Sequence, residues 1–182
     1  YSKINNNIFL SEDENRVNFL KDFNIPPISL LNQDGNLLKL NRTDTFRIVL
    51  FCFSMTGRPD KPLPKDWNSI KGATGCTSQI CSIRDNYDEI ISLNSVPVGV
   101  STQSVDDLKE MSVRLFIPYD VLSDFNLELQ NLFKLPIFSI DKKIYLKRLT
   151  LIIEKSVIKK VFYPIFFPDK HINEVIQWLK KN

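Results

Sequence analysis

The chain has 182 residues, 43% of them hydrophobic and 25% charged, with a formal net charge of +3. That length suits one α/β domain, which buries roughly 70% of its unfolded surface and needs no disulfide or metal staple. A small charge on scattered lysines leaves no nucleic-acid footprint, and no apolar run approaches the ~20 residues that span a bilayer, so neither nucleic acid nor membrane is an expected partner.

Residues 1–23 are polar with a weak helical pattern (Val17, Phe19, Leu20, Phe23) and read as an N-terminal extension of a single domain covering 1–182. Short strands are expected at 28–31 and 37–40, joined around Asp34-Gly35, a strong hairpin signal. Residues 47–53 (RIVLFCF) read as a strand buried on both faces. A long loop, 54–75, follows and holds Trp67, for which packing is the expected role. One helix is expected over 77–93, with Ile80, Ile83, Tyr87, Ile90 and Ile91 recurring at three and four. A second buried strand is expected at 97–101, and a helix opened by a Ser104/Asp107 cap runs to 114. Next come a short strand at 121–122 and a helix over 125–133. Two strands, 144–153 and 157–163, form a hairpin, and a last helix capped by Asp169 runs to 180. This order predicts an α/β fold: a mixed central sheet with helices on both faces and an N-terminal hairpin.

Three cysteines and one histidine carry the candidate chemistry. Their spacing fits no zinc pattern, so no metal is expected. Cys52 lies inside a buried strand and reads as inert core. Cys76 falls in the first turn of a helix, where free N–H groups and the positive end of the dipole favour thiolate, the nucleophilic form. Cys81 is five residues on. In an intact helix the two Cα atoms stand about 8–9 Å apart, against the ~4.4–6.8 Å of a disulfide, so bonding them requires the first turn to unwind. His171 offers no protease pairing, because nothing supplies the third, orienting group. A nucleophile without histidine needs backbone N–H groups or an arginine, and peroxide reduction suits that arrangement.

The segment GCTSQICSIRD (75–85) resembles the GCTxExCxFRD signature of the peroxiredoxin Q, or bacterioferritin-comigratory, branch of the peroxiredoxins. KRLTLII (147–153) resembles the family strand whose arginine faces the sulfur, and the likeness extends over roughly 25–181. It implies a thioredoxin-like fold, a peroxidatic Cys76, a resolving Cys81 and Arg148 beside the sulfur. It also implies a hydroperoxide substrate, thioredoxin or a similar dithiol as reductant, no cofactor, and a monomer or homodimer. Thr56, Thr74, Gly75 and Thr77 are the matching substrate-binding positions. Ala73 stands where the family has threonine three residues before the cysteine, so either Thr56 or Thr74 fills that place. Gln79 stands where the signature has glutamate. A thiol–disulfide oxidoreductase or redox sensor is the second reading, disfavoured by the lack of CxxC. A binding module using the 54–75 loop is the third. Free-thiol usage and the lack of a visible targeting segment suggest the cytoplasm, with a leader removed before Tyr1 left open.

Overall fold

The computed structural model describes residues 12–182. The first part of the expected N-terminal pattern, 1–11, lies outside the described residues. The rest forms α1 (Glu12–Asn18), which packs Val17 into the core.

Seven strands make one mixed sheet. β3 (Arg47–Cys52) and β4 (Ser95–Ser101) run parallel at its centre. β5 (Asp120–Ser123) continues the parallel set, and β1 (Ser29–Asn32) and β2 (Leu37–Lys39) close that side antiparallel. β8 (Leu149–Glu154) and β9 (Val157–Phe162) extend the other side of β3 as the expected hairpin. The β1–β2 turn is fixed locally: Asn32 Oδ1 accepts from the N–H groups of Asp34 and Asn36, and Gly35 takes φ 79°.

Strand alternation divides the core in two. Ile48, Leu50 and Cys52 of β3 pack with Val17, Leu20 and the α5 (Glu128–Phe133) residues Leu129 and Phe133. Val49, Phe51 and Phe53 face the other way. There they meet α2 (Cys76–Asp85), α3 (Tyr87–Ser92), α4 (Val105–Arg114) and α6 (His171–Lys181). Helices therefore cover both faces, as the element order predicts.

Four expectations change. The helix read over 77–93 is two, because Asn86 leaves helical geometry (φ −109°, ψ 14°) and its amide donates to the Ser82 carbonyl. The strand read over 144–153 is also two. Ile137–Ile140 (β6) and Lys143–Leu146 (β7) form a separate hairpin, and the chain breaks at Lys147 and Arg148, where the Lys147 N–H donates to the Pro136 carbonyl at 2.8 Å. α5 starts three residues late, at Glu128, because Asp124 takes the N–H groups of Leu129 and Gln130. Asp169 is not the cap of α6: the Phe167 carbonyl accepts from Lys170 and His171, and Lys170 is the N-cap.

The 54–75 loop is held rather than free. Trp67 is 4% exposed within a 3₁₀ turn and lies edge-on to Tyr145 of β7 at 5.0 Å, with Phe138 of β6 at 5.7 Å. The β6–β7 hairpin is thus the platform on which the loop rests, and Ala73 is buried in the same cluster.

Candidate active site

α2 begins at Cys76 itself. Gly75 precedes it at φ 92°, a left-handed conformation that glycine adopts without strain. A Cβ there would also stand 2.7 Å from Pro168 Cγ, so the chain ahead of α6 closes on this turn. The Gly75 carbonyl accepts from the Gln79 N–H at 3.1 Å and from the Ser78 hydroxyl at 2.9 Å, fixing the first helical turn. The Cys76 side is turned into the core, 2% exposed, and its thiol makes a weak 3.7 Å contact to the Ala73 carbonyl.

Arg148 reaches this turn from the break between β7 and β8. Its Nε donates to Gln79 Oε1 at 2.9 Å, and its Nη2 donates to the Thr74 carbonyl at 2.8 Å and to Cys76 Sγ at 3.4 Å. Arg148 is only 5% exposed. A buried guanidinium is costly unless its charge is met. Among the described residues its partners are an amide oxygen, a carbonyl oxygen and the sulfur. Of these the sulfur alone can become an anion.

The structure brings Cys76, Gly75, Arg148 and the Thr74 backbone together. Thr56 is engaged by Gln103: the Thr56 N–H and hydroxyl both donate to Gln103 Oε1, at 3.0 and 3.4 Å. The Thr74 and Thr77 residues are exposed. Cys81 lies on the same unbroken helix as Cys76, half-buried, and all three thiols are free. Arg84 and Arg114 are paired with Asp85 and Glu110. Arg58 does not approach the sulfur. It pairs with Asp60 at 2.9 Å and with Asp107 at 3.0 Å, and together with the bond from Arg114 to the Gly57 carbonyl it ties the loop to α4. Among the described residues no cluster could hold a metal ion.

Sequence reasoning missed two things. Gln79 was read only as a departure from a signature, whereas it carries the acceptor for Arg148. Its position three residues after Cys76, one helical turn along the same face, was the available signal. The second is a cavity of about 560 Å³ whose lining includes Thr74, Gly75, Arg148, Tyr163, Phe166 and Pro168. A space of that size accepts a small organic molecule.

A model of the AhpC/TSA family matches residues 20–161. The chain is 25% identical over 158 residues to the chloroplastic peroxiredoxin Q of Sedum lineare, covering 85% of this chain and 75% of the plant protein. It is 23% identical over 155 residues to that of Populus jackii, covering 85% and 65%. Its fold is similar to that of the peroxidoxin BcpB from Mycobacterium tuberculosis (TM-score 0.72, 21% identity, 88% of this chain and 96% of that one). It is also similar to the Xanthomonas campestris bacterioferritin comigratory protein, solved in a study of that protein's alkyl peroxide reduction (TM-score 0.67, 16% identity, 85% and 90%). These likenesses show the thioredoxin-like α/β fold.

Proposed function

The chain belongs to the AhpC/TSA family, and on that premise we propose that it is a thiol peroxidase in which Cys76 reduces hydroperoxides and Cys81 resolves the oxidised product. The observation that carries this reading is the buried Arg148, held 3.4 Å from Cys76 Sγ by Gln79 and the Thr74 carbonyl.

The Cys76 thiolate attacks the terminal oxygen of the hydroperoxide. An S–O bond forms, the O–O bond breaks, and the sulfur gives up two electrons to become a sulfenic acid. The leaving oxygen takes the electron pair and then a proton, departing as alcohol or water. The Arg148 fork meets negative charge on the sulfur before attack and on the leaving oxygen during it. The helix turn holding Cys76 then unwinds, because a whole helix keeps the two Cα atoms about 8–9 Å apart. The Cys81 thiol attacks the sulfenic sulfur, water leaves, and a disulfide forms. An external dithiol of the thioredoxin type restores both thiols by exchange. This cycle needs reduced cysteines, which fits a reducing compartment such as the cytoplasm.

The test is stopped-flow peroxide consumption coupled to thioredoxin and its reductase. Cys76→Ser is expected to lower the rate constant at least about a thousandfold, equivalent to ~4 kcal/mol of barrier. Near-full turnover by that variant defeats the reading. After one equivalent of peroxide, mass spectrometry should find a Cys76–Cys81 disulfide and an unmodified Cys52. A lasting sulfenic acid on Cys76 without the bridge removes Cys81 from the cycle.

A further inference from the structure

α1 lies outside the segment that matches the family, which begins at residue 20, yet it forms part of the cavity wall beside Arg148. Packing anchors it: Val17 is 1% exposed and joins the core on the α5 side of the sheet. Its first turn is acidic, with Glu12, Asp13 and Glu14. Asp13 accepts from Lys147 Nζ at 2.6 Å and from the Tyr163 hydroxyl at 3.4 Å. Burial, with Asp13 adding to it, pushes the Tyr163 hydroxyl up to about 12, which keeps it a neutral donor. Glu14 lines the cavity together with Lys71, Lys147 and Arg148.

Among the described residues, that wall without α1 would carry three cations and no carboxylate. With it, Lys147 is ion-paired and the Glu14 carboxylate borders the same space. Charges around a cavity chiefly alter the association of charged ligands, in a salt-dependent way. We propose that α1 is a specificity element of this site: Asp13 and Glu14 offset the cationic wall, so that neutral hydroperoxides enter in preference to negatively charged ones. The inference rests on the peroxidase reading above. Both substrate types undergo the same step at sulfur, with the O–O bond cleaved, Cys76 oxidised by two electrons and the peroxide reduced to its alcohol.

The experiment uses the full reduced chain and a matched pair, a short hydroperoxide bearing a terminal carboxylate and its methyl ester. In an Asp13→Asn, Glu14→Gln double variant the carboxylate-to-ester ratio of rate constants should rise about three- to tenfold at low salt, shrinking to under about twofold at ~0.5 M salt. Lys147→Gln should move the ratio the opposite way. Rates that rise together in the double variant while the ratio stays unchanged count against the proposal, as does a ratio unmoved in both variants. If the unmodified protein consumes neither peroxide, the peroxidase reading itself fails and this inference fails with it.

Discussion

Cys52 and Cys76 are both sealed from solvent, at 0% and 2% exposure, but they lie on opposite faces of one sheet. Cys52 ends β3, in one packed cluster with Leu50, Leu129 and Phe133, and the charge that acts on it is the Asp124 carboxylate. Burial pushes its thiol far up, and Asp124 adds to the push, so it behaves as a small apolar side chain. Cys76 opens a helix and has a guanidinium against its sulfur. The two residues share type and burial, and they differ in the sign of the neighbouring charge and in the backbone around them. Burial alone therefore does not separate Cys52 from the cysteine proposed as the nucleophile.

The sharpest way to break this contrast is to remove the charge. Arg148→Met keeps the unbranched stem to about the position of Nε and loses all three hydrogen bonds of the guanidinium. The second-order rate constant for peroxide should fall by about 10²–10³, the usual cost of losing one aimed donor at a developing charge. Arg148→Lys should fall between, because a point charge cannot hold Gln79 and the Thr74 carbonyl at once. A loss of less than about threefold in the Met variant would mean that the guanidinium serves packing only.

A smaller effect is expected one step back from the sulfur. Gln79 is 1% exposed, and its Oε1 holds Arg148 Nε. Gln79→Leu leaves that donor buried without its acceptor, which costs about 1–3 kcal/mol. The expected loss in peroxide rate is about tenfold, with most of it restored in Gln79→Glu, which returns an acceptor oxygen. A purely structural role would lower the melting temperature of the Leu variant without that recovery of rate.

These sites differ in how far the sequence exposes them. β3 and β4 are legible as continuous apolar runs, α6 by apolar residues repeating at three and four, and Asp34-Gly35 marks its own turn. The β6–β7 hairpin is hidden, since its turn residues Asp141 and Lys142 take φ 48° and 64° with no glycine to signal them. IYLKRLTLII reads as one strand, and only the bond from Lys147 to the Pro136 carbonyl shows why it divides. At the site, Cys76 and Arg148 are found through their signature segments. Their joining is a contact across 72 residues of chain. The bond from Lys147 to Asp13 spans 134 residues, and no periodicity or local motif encodes it.

The smallest expected effect concerns the charge that the Cys76 face will not accept. His171 begins α6, with Nε2 bonded to Thr150 Oγ1 at 2.9 Å and Phe162 edge-on at 5.3 Å. Burial holds its pKa below the ordinary histidine value. The nearby Arg148 acts the same way, while Glu174 opposes both. A depressed folded-state pKa means that the unfolded chain binds the proton more readily. The stability contributed by neutral His171 is therefore fully present above the unfolded pKa of about 6.5 and is lost as pH falls below it. Thermal melts should show a drop of a few degrees between pH 7.5 and pH 5.5, above the range where most carboxylates titrate. His171→Gln should flatten that slope while leaving the acid limb below pH 4.5 in place. A slope of the same size in the variant would assign it to other groups and leave the Cys76 face indifferent to added positive charge.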